Sequence, residues 1–545
     1  MNAVRLETHE VANQSPPLEG YDAYDADPWL RAAVARAQVS WVEGAAHSLG
    51  VYVGSGEAQH HAALANRFTP ELRSHDRTGE RLDAVEYHPS YHVLMNRAFG
   101  AGVHSAAWKR QPGGFSARAA LFYLWNQLEQ GTACPVTMTF ASIAVFDQVP
   151  ELAREWRGKV LADAYDPRPE PIARKSAATI GMAMTEKQGG SDLRAVTTTA
   201  VADGASWRLT GHKWFCSAPM SDGFFTLARL PEGVTCFFVP RSLADGTRNT
   251  FLIQRLKEKI GNRSNASSEI EYLDTFARLV GEPGRGIATL IPMAHHTRFD
   301  IVVGVAAMMR SALNHALHHA RHREAFGKPL VEQPLMANVL ADLALEAEAA
   351  TLTAFRLAAA FDRSGADPAE RELQRALTPV AKYWLCKRMA MVAAEAMECL
   401  GGNGYVEESP LARLYREAPL NGIWEGSANV ICLDALRALG RSREAIVALE
   451  SEVAAARDPR LDARMRDTVG MLADAAQATA GARAIVESLA LCVQGSLMKR
   501  YSDGAAAEAF CGSRIGGEGG RALGALRAGA ATLGALVQRA RLARS

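Results

Sequence analysis

The segment MAMTEKQGGSD, residues 182–192, lies where the pattern of the chain changes from helix to strand. Upstream, residues 28–178 favour helix, because alanine-rich stretches punctuated by leucine alternate with proline, glycine and histidine. Downstream, to about residue 280, short β-branched and aromatic runs are bounded by glycine, proline and aspartate, which predicts a small antiparallel sheet or barrel. After residue 286 the helical pattern returns. The predicted order is therefore helices, sheet, helices.

This order predicts an α+β protein that is mainly α, with four parts. They are an N-terminal helical domain at residues 1–180, a β domain at 181–285, a helical bundle at 286–440 and a further C-terminal helical domain at 441–545. Gly440 is expected to end a helix that begins near Leu433. In the glycine-rich tail, regularly spaced leucines between residues 523 and 536 favour packed helix over a disordered linker.

Composition excludes several classes of protein. No segment approaches the roughly 18 uninterrupted apolar residues that span a bilayer, and the first twenty residues lack the features of a secretion signal. The eight cysteines include no CxxC pair and no metal-ligand spacing with histidine. We therefore expect a cytoplasmic protein without a membrane segment or a metal site. The net charge of +1 means that any site for a polyanion is local.

The segment WEGSAN, residues 424–429, contains the candidate general base. Glu425 lies between an aromatic residue, Trp424, and a glycine, at the start of an apolar helical run. Burial beside Trp424 would raise the pKa of Glu425 towards the working pH, where a general base is most effective. The alternative is a solvent-facing glutamate at a helix start, stabilised by the helix dipole.

Two segments of the β region suit a planar ligand. In residues 182–192, the hydroxyls of Thr185 and Ser191 flank a double glycine, so backbone amides can approach a flat ring or a pyrophosphate closely. In GHKWFCSA, residues 211–218, adjacent aromatic residues precede a small hydroxyl, a combination that stacks on a ring and binds its edge. A connecting loop and core aromatics are the respective alternatives. No glycine cluster has the strand-to-helix context of a GxGxxG fingerprint, which excludes a Rossmann nicotinamide site.

Two further segments suit a dinucleotide. In RHREAFGKPL, residues 321–330, a guanidinium and an aromatic ring stand close together, a pair that can bind a pyrophosphate and line an adenine. The alternative is a helix end whose cations complement the dipole. In ECLGGNGY, residues 398–405, glycines follow a helix and permit close approach, with simple helix capping as the alternative.

The joint occurrence of these segments, in this order on a helix, sheet, helix scaffold, resembles the acyl-CoA dehydrogenase family of flavoproteins. The segments MTEKQGGSD, KWFCSAP, ECLGGNGYVEE and IWEGSANV, together with the helical tail, are similar to its AidB branch, which is linked to the adaptive response to DNA alkylation damage. The resemblance implies an N-terminal helical domain, a central β-barrel or sheet domain and a C-terminal four-helix bundle, extended by an extra helical domain. It also implies FAD as cofactor and a homotetramer.

The resemblance assigns roles to individual residues. Glu425 becomes the base of an α,β-dehydrogenation of an acyl-CoA or a related small molecule. Lys187 replaces a proline and Trp424 a tyrosine that are common in catabolic members, which argues against ordinary acyl-CoA substrates. Arg323 and Phe326 are expected to reach the FAD diphosphate of a neighbouring subunit. The full set of implied cofactor contacts is Met182, Thr185, Gly190, Ser191, Phe215, Cys216, Ser217, Ala218, Arg323, Phe326, Gly401, Gly402, Ile423, Trp424, Ser427 and Asn429.

The tail carries a local positive charge. Residues 514–545 contain six arginines, the last of them Arg544, and one acid, Glu518, a balance of six minus one, or +5. A solvated helix surface would explain this equally well. The AidB resemblance favours double-stranded DNA, bound through phosphates with little sequence selectivity, since no base-reading motif is present. The implied DNA contacts are Arg437, Arg441, Arg514, Arg521 and Arg527, of which the first two share a helix face only if the helix continues past Gly440.

Three functions remain open at this stage. The first is a DNA-associated flavoprotein that guards DNA or acts on alkylating agents or lesions. The second is a metabolic short branched-chain acyl-CoA dehydrogenase whose tail serves only oligomerisation. In the third, FAD is a structural ligand whose binding energy stabilises the fold.

Overall fold

The computed structural model describes residues 8–109 and 111–542, and its N-terminal part is a helical domain that carries one β-hairpin. The strands and helices of this domain are α1 Pro28–Ala37, α2 Glu43–Val53, α3 Gly56–Arg67, β1 Glu71–His75, β2 Arg81–Glu86, α4 Pro89–Gly100, α5 Gly114–Leu128, α6 Ala133–Phe146 and α7 Pro150–Val160. The helix α5 is buried along almost its whole length and packs against the bundle described below.

The β1–β2 hairpin departs from the purely helical prediction for this part. Its strands are rich in charged residues and give no clear alternation in the sequence. The hairpin is stabilised from outside, because Val85 packs into the core of the β domain and the Arg81 guanidinium donates to the Ile253 carbonyl at 2.9 Å.

The β domain is a small barrel. Its strands are β3 Ile180–Ala183, β4 Thr199–Asp203, β5 Ser206–Ser217, β6 Gly223–Leu230, β7 Gly233–Pro240, β8 Phe251–Leu256 and β9 Ser267–Val280. The ring β6, β7, β9, β5, β4 closes because β4 also pairs with β6, at Thr199 and Arg229. β3 and β8 are added outside the ring, on β6 and β9 respectively.

The barrel is not wholly antiparallel, which corrects the sequence prediction. Both β3 and β4 run parallel to β6 and pair with successive parts of one of its edges, since β7 pairs with the other edge. The connection 184–198 joins β3 to β4. The segment that first indicated the change of fold, TEKQGGSD, lies within this connection.

The bundle consists of three long helices and one shorter helix. Its elements are α8 Gly286–His322, β10 Glu324–Ala325, β11 Lys328–Pro329, α9 Pro334–Arg363, α10 Pro368–Cys399, α11 Gly402–Tyr405, α12 Pro410–Glu417 and α13 Ala428–Arg441. Gly440 does not end α13, so that prediction is wrong. Its φ is not positive, and a Cβ built on it would meet nothing within 4 Å, so the helix passes through it to Arg441.

The tail adds six helices, α14 Arg443–Ala454, α15 Pro459–Gly470, α16 Ala475–Ala480, α17 Ala482–Tyr501, α18 Gly504–Arg514 and α19 Ala530–Ala540. Residues 515–529 are packed, as predicted, but they are not helical. Leu523 and Leu526 are buried, and Asn338 of α9 exchanges two hydrogen bonds with the Leu526 backbone. Six glycines in this stretch disfavour helix.

Short 3-10 turns connect several of these elements, at Ser40–Val42, Ala106–Trp108, Ile172–Arg174, Leu193–Ala195, Leu330–Glu332 and Ala418–Gly422. No helix among the described residues combines the length and the apolar character that a bilayer crossing requires. All eight cysteines are free and buried.

Candidate active site

Glu425 lies in the turn between the last 3-10 segment and α13. Its φ is +56°, a left-handed conformation that is uncommon for a residue with a side chain. The Thr297 hydroxyl on α8 donates to Glu425 Oε2 at 2.8 Å, and the Arg298 guanidinium donates to the Glu425 carbonyl at 3.0 Å. A strained residue held by its surroundings is typical of functional sites. The carboxylate is half-buried in the single chain, where the sequence predicted a buried base.

Glu425 is not a helix-start glutamate. The N-cap of α13 is Ser427, and the first turn of that helix contains no acidic residue. The helix dipole therefore does not account for Glu425, and the alternative considered from the sequence loses its basis.

Two cations, the buried Lys382 and the half-buried Arg298, hold this turn by its carbonyls. On α10, Lys382 Nζ donates to the carbonyls of Gly426 at 2.9 Å and Asn421 at 3.3 Å. Burial lowers the pKa of Lys382, and the charge of Glu425 acts in the opposite direction. Arg298, besides its bond to Glu425, pairs with Asp434 of α13 at 2.8 Å. Both cations fix the backbone of the turn and bind no oxygen of the Glu425 side chain in the described residues.

A buried ion pair supports the loop 184–198, which joins β3 to β4. Lys213 Nζ lies 2.8 Å from Glu186 Oε1, and neither side chain is exposed. Glu186 also accepts hydrogen bonds from the backbone and hydroxyl groups of Thr197 and Thr198. Burial opposes the ionisation of Glu186, but the Lys213 charge and these hydrogen bonds outweigh it and lower the pKa of Glu186. The pair thus ties both ends of the loop 184–198 to β5.

The double glycine of this loop packs closely against Thr185. A Cβ on Gly190 would lie 2.4 Å from Thr185 Oγ1, so this position requires glycine for packing within the loop. The Thr185 carbonyl accepts from the Trp214 backbone at 2.8 Å, which joins the loop to β5. Thr185 is half-buried and Ser191 is exposed, while Met182 is buried within β3.

The end of β5 shows the alternation of a strand. Phe215 is 52% exposed, whereas Cys216 is fully buried in the barrel core, and burial raises the pKa of its thiol to about 12. The Cys216 side chain therefore faces the barrel core, and the predicted cofactor contact of Cys216 would be made by its backbone. Ser217 is half-buried, and Ala218 follows in a left-handed conformation with φ +48°.

Cys134 of α6 connects the barrel and the bundle sides of the site. Burial raises the pKa of its thiol to about 11. The charge of Lys259 and hydrogen bonds from Ser217 and Asn265 act in the opposite direction, and the charge of Glu425 adds to the rise. Helix α6 itself packs against β3 of the barrel and against α8, the helix that carries Thr297, so it joins the two sides of the site.

Sequence reasoning missed five residues of this site. The role of each depends on contacts between elements that are distant in the sequence. Thr297 and Arg298 are adjacent polar residues on the long helix α8, and Lys382 is a lysine within a largely buried helix. For Arg298 and Lys382, a charge inside an otherwise apolar helical pattern was the available signal. The residues are Cys134, Lys259, Thr297, Arg298 and Lys382.

The residues next to Glu425 differ in their exposure to solvent and in whether their polar groups have hydrogen-bond partners. Ile423 is exposed, and Trp424 is half-buried with an indole Nε1 that is shielded from solvent and has no hydrogen-bond partner among the described residues. Asn429 Oδ1 accepts from Arg483 of the tail at 2.9 Å, so it is engaged within the chain. Ser427 is exposed.

The predicted dinucleotide segments lie on an open surface of the single chain. Phe326 is 98% exposed at the tip of the hairpin β10–β11, and φ is positive for both Phe326 and Gly327. Arg323, at the base of the hairpin, is half-buried. Gly401, with φ +59°, and Gly402 are exposed, and a Cβ on either would meet nothing within 4 Å. The chain by itself does not bring these segments to Glu425.

The predicted DNA contacts separate into two groups. Arg437 and Arg441 are exposed and share a face of α13, since the helix continues past Gly440. Arg437 also lies 3.5 Å from Asp434. Arg521 and Arg527 are exposed in the segment 515–529, and Arg544 falls outside the described residues.

Arg514 is not a surface residue, which corrects its prediction as a DNA contact. Its side chain is 13% exposed, and its guanidinium pairs with Asp342 and with Glu346 of α9, the latter at 2.8 Å. α9 buries these carboxylates, and buried charges require partners. Arg514 therefore fastens the tail to the bundle, as Arg539 does through Glu348.

Comparison with known proteins agrees with this architecture. Residues 13–167 match the model of the adaptive response protein AidB N-terminal domain, and residues 181–275 and 284–440 match the middle and C-terminal domains of acyl-CoA dehydrogenases. The protein AidB of Escherichia coli (strain K12) is 44% identical over 526 residues, which cover 94% of this chain and 96% of that protein.

Solved structures confirm the predicted fold. The acyl-CoA dehydrogenase ACDH-11 of Caenorhabditis elegans, in complex with C11-CoA, has a TM-score of 0.85 at 24% identity and covers 94% of each chain. An acyl-CoA dehydrogenase of Bacillus anthracis, complexed with FAD, has a TM-score of 0.65 at 17% identity and covers 78% of this chain and 81% of its own. From the shared domains and the near full-length match, the chain belongs to the AidB branch of the acyl-CoA dehydrogenase family.

Proposed function

We propose that this protein is an FAD-dependent oxidoreductase that acts on CH–CH groups next to an activated carbonyl, with Glu425 as its base. The observation that carries the proposal is how the candidate base is held beside the barrel: Thr297 of α8 donates to Glu425 Oε2, and α6 packs both against α8 and against β3, from which the loop 184–198 continues. A ring held by the barrel segment and a substrate below it would then stand next to the carboxylate. Such alignment contributes about 7–11 kcal/mol to catalysis where the geometry is good.

The residues present fit a flavin ring. Trp424 Nε1 is a shielded donor without a partner among the described residues, and a buried donor of this kind calls for an acceptor. The exposed Ser191 hydroxyl and the half-buried Ser217 hydroxyl, which also lies 3.4 Å from Ser267 Oγ, are suited to bind polar ring edges. We assign the ring to Thr185, Gly190, Ser191, Phe215, Ser217, Ala218 and Trp424.

The outer part of the cofactor requires a second copy of the chain. Phe326 on one copy, and Gly401 and Gly402 on another, are exposed in the single chain, and Arg323 is half-buried at the base of the hairpin. A nearly fully exposed phenylalanine is costly in water and is favoured at an interface. We therefore propose that the diphosphate lies between subunits of a homotetramer.

In the proposed reaction the chain supplies the proton acceptor and the geometry. Glu425 takes the proton from the carbon next to the carbonyl. Thr297 donates to Oε2 and leaves Oε1 for the substrate, while Arg298 and Lys382 hold the turn by its backbone. FAD, when bound, supplies the hydride acceptor for the neighbouring carbon.

Flavin reduction by a panel of acyl-CoA thioesters tests this proposal. We expect at least one thioester of medium chain length to bleach the flavin absorbance of the anaerobic holoprotein, because ACDH-11 of C. elegans was solved with C11-CoA. Bleaching by none of the panel would contradict the enzymatic role and favour FAD as a structural ligand. The short branched-chain metabolic reading is less favoured, because the relationship to AidB extends through the tail.

A second proposed function is binding of double-stranded DNA in the response to alkylation damage, in the cytoplasm. The arginine pair Arg437 and Arg441 and the exposed Arg521 and Arg527 form the candidate surface. The match to the AidB N-terminal domain supports the assignment. Phosphate contacts of this kind predict an affinity that falls steeply with salt and little sequence preference.

Salt-dependent gel shifts on a duplex test the DNA proposal. The quadruple charge reversal of these arginines to glutamate should weaken binding and flatten the slope of log affinity against log salt concentration by several units, about one for each lost contact. Arg77→Glu, an exposed arginine in the β1–β2 hairpin, is the matched control and should leave the slope unchanged. Equal slopes for the quadruple variant and the control would reject this surface.

A further inference from the structure

An N-terminal strap, which we define as residues 8–20, crosses the end of α8 next to Arg323. The strap contains no helix or strand. His318 Nε2 lies 2.8 Å from the Pro16 carbonyl, and Asn13 contacts the two residues that follow α8. The strap thus reaches the segment that we assign to the FAD diphosphate.

Asn13 is bound to this segment in three ways. Its Nδ2 donates to the Glu324 carbonyl at 2.9 Å, and its Oδ1 accepts from the Glu324 backbone at 2.7 Å. Its carbonyl accepts from the Arg323 guanidinium at 2.5 Å. The side-chain amide therefore pairs with the backbone of β10 as an adjacent strand would, and only an amide both donates and accepts in this way. Asn13 has φ +55°, a conformation that asparagine tolerates better than most residues.

The hairpin needs such support. Its strands, Glu324–Ala325 and Lys328–Pro329, have two residues each, and an isolated hairpin of this size is unstable in water. Phe326 at its tip makes almost no contact within the chain, since it is 98% exposed. The remaining supports are a bond from Gln333 Nε2 to the Ala325 carbonyl at 2.8 Å and one from the Leu330 backbone to the Arg323 carbonyl at 2.8 Å.

We infer that Asn13 is a positioning residue that holds the β10–β11 hairpin and orients Arg323 towards the FAD diphosphate of a neighbouring subunit. This inference rests on the proposed function. A guanidinium presents five donors in one plane, and the bond to the Asn13 carbonyl fixes that plane while it leaves other donors for phosphate oxygens. Order that exists before the ligand arrives reduces the entropy lost on binding.

The test is the FAD dissociation constant of the full-length protein, measured by flavin fluorescence, with the assembly state followed by light scattering. Asn13→Ala should weaken FAD binding about 5- to 30-fold, the range expected for lost hydrogen bonds worth about 1–2 kcal/mol. Asn13→Gly, which keeps the left-handed backbone but lacks the amide, should weaken it similarly. Gln14→Ala, at an exposed neighbouring position, is the control and should match the wild type.

A double-mutant cycle with Arg323→Ala separates positioning from general stability. If Asn13 acts through Arg323, then Asn13→Ala adds no further loss of FAD affinity once Arg323 is alanine. Additive losses, or wild-type affinity in Asn13→Ala while Arg323→Ala is weakened, would overturn the inference. Wild-type affinity in Arg323→Ala would instead show that the proposed FAD contact of Arg323 is wrong. The two failures are therefore distinguishable.

Discussion

The inner and outer halves of the proposed cofactor site differ in how they are held. The inner half, which comprises the loop 184–198, the end of β5 and the Glu425 turn, is fixed within one chain by buried charges such as Lys213 and Lys382. The outer half, which comprises the β10–β11 hairpin and the glycines at 401–402, stands open to solvent. In this proposal, the fold of one chain positions the reacting groups, whereas the contacts to the dinucleotide part of FAD require a second subunit.

The largest expected effect is a loss of stability when the buried Lys213–Glu186 pair of the inner half is broken. Lys213→Met leaves the buried Glu186 carboxylate without its cation, and we expect the free energy of unfolding to fall by about 3–5 kcal/mol. Urea unfolding measures it. Arg73→Met, which breaks the exposed pair with Glu86, is the control and should cause little change. The double variant Lys213→Met with Glu186→Gln should recover part of the loss, and a mild effect of Lys213→Met would mean that the loop is not held by this pair.

A smaller, pH-dependent effect is expected where barrel and bundle meet. Glu417 of α12 accepts from the Asn262 backbone at 2.6 Å, and burial raises its pKa to about 7. The folded protein therefore keeps this proton at a pH where the unfolded chain, with a pKa of 4.5, has lost it. The stability of the folded protein therefore falls as the pH rises from about 4.5 to 7, and the loss remains above pH 7.

Glu417→Gln should remove this dependence, because glutamine keeps the acceptor and carries no charge. At pH 8 we expect the variant to be more stable than the wild type by about 1–3 kcal/mol, after allowance for the neighbouring charges of Arg413 and Lys259. Unfolding curves at pH 5 and pH 8 measure the difference. A variant that is less stable at both values would show that Glu417 is ionised and paired.

The smallest effect on folding is expected in the outer half. Phe326→Ser should change the unfolding free energy of the single chain by less than about 0.5 kcal/mol, since Phe326 is almost fully exposed. The same change should reduce assembly and FAD affinity if the hairpin reaches a second subunit. Analytical ultracentrifugation measures assembly, with Val201→Ser on the exposed face of β4 as control. Unchanged assembly and affinity would mean that the outer half is also complete in one chain.

The sequence predicted the order helices, sheet, helices, and it was the source of the residues that we propose for the inner half. It could not predict the β1–β2 hairpin, which depends on the barrel core around Val85. Nor could it predict the burial of Arg514, because the α9 carboxylates that pair with this arginine are distant in the sequence. The orientation of Cys216 was accessible, since alternate residues of a strand face opposite sides and Phe215 is exposed.

The central claim is that Glu425 faces the flavin ring across a shared substrate position. Anaerobic stopped-flow reduction of the flavin, with a thioester that bleaches the wild type, tests it in Glu425→Gln. We predict that the variant retains FAD and its visible spectrum while the rate of reduction falls about 10²- to 10⁴-fold, the usual contribution of a general base. A rate within a few-fold of the wild type, with FAD bound, would contradict the account.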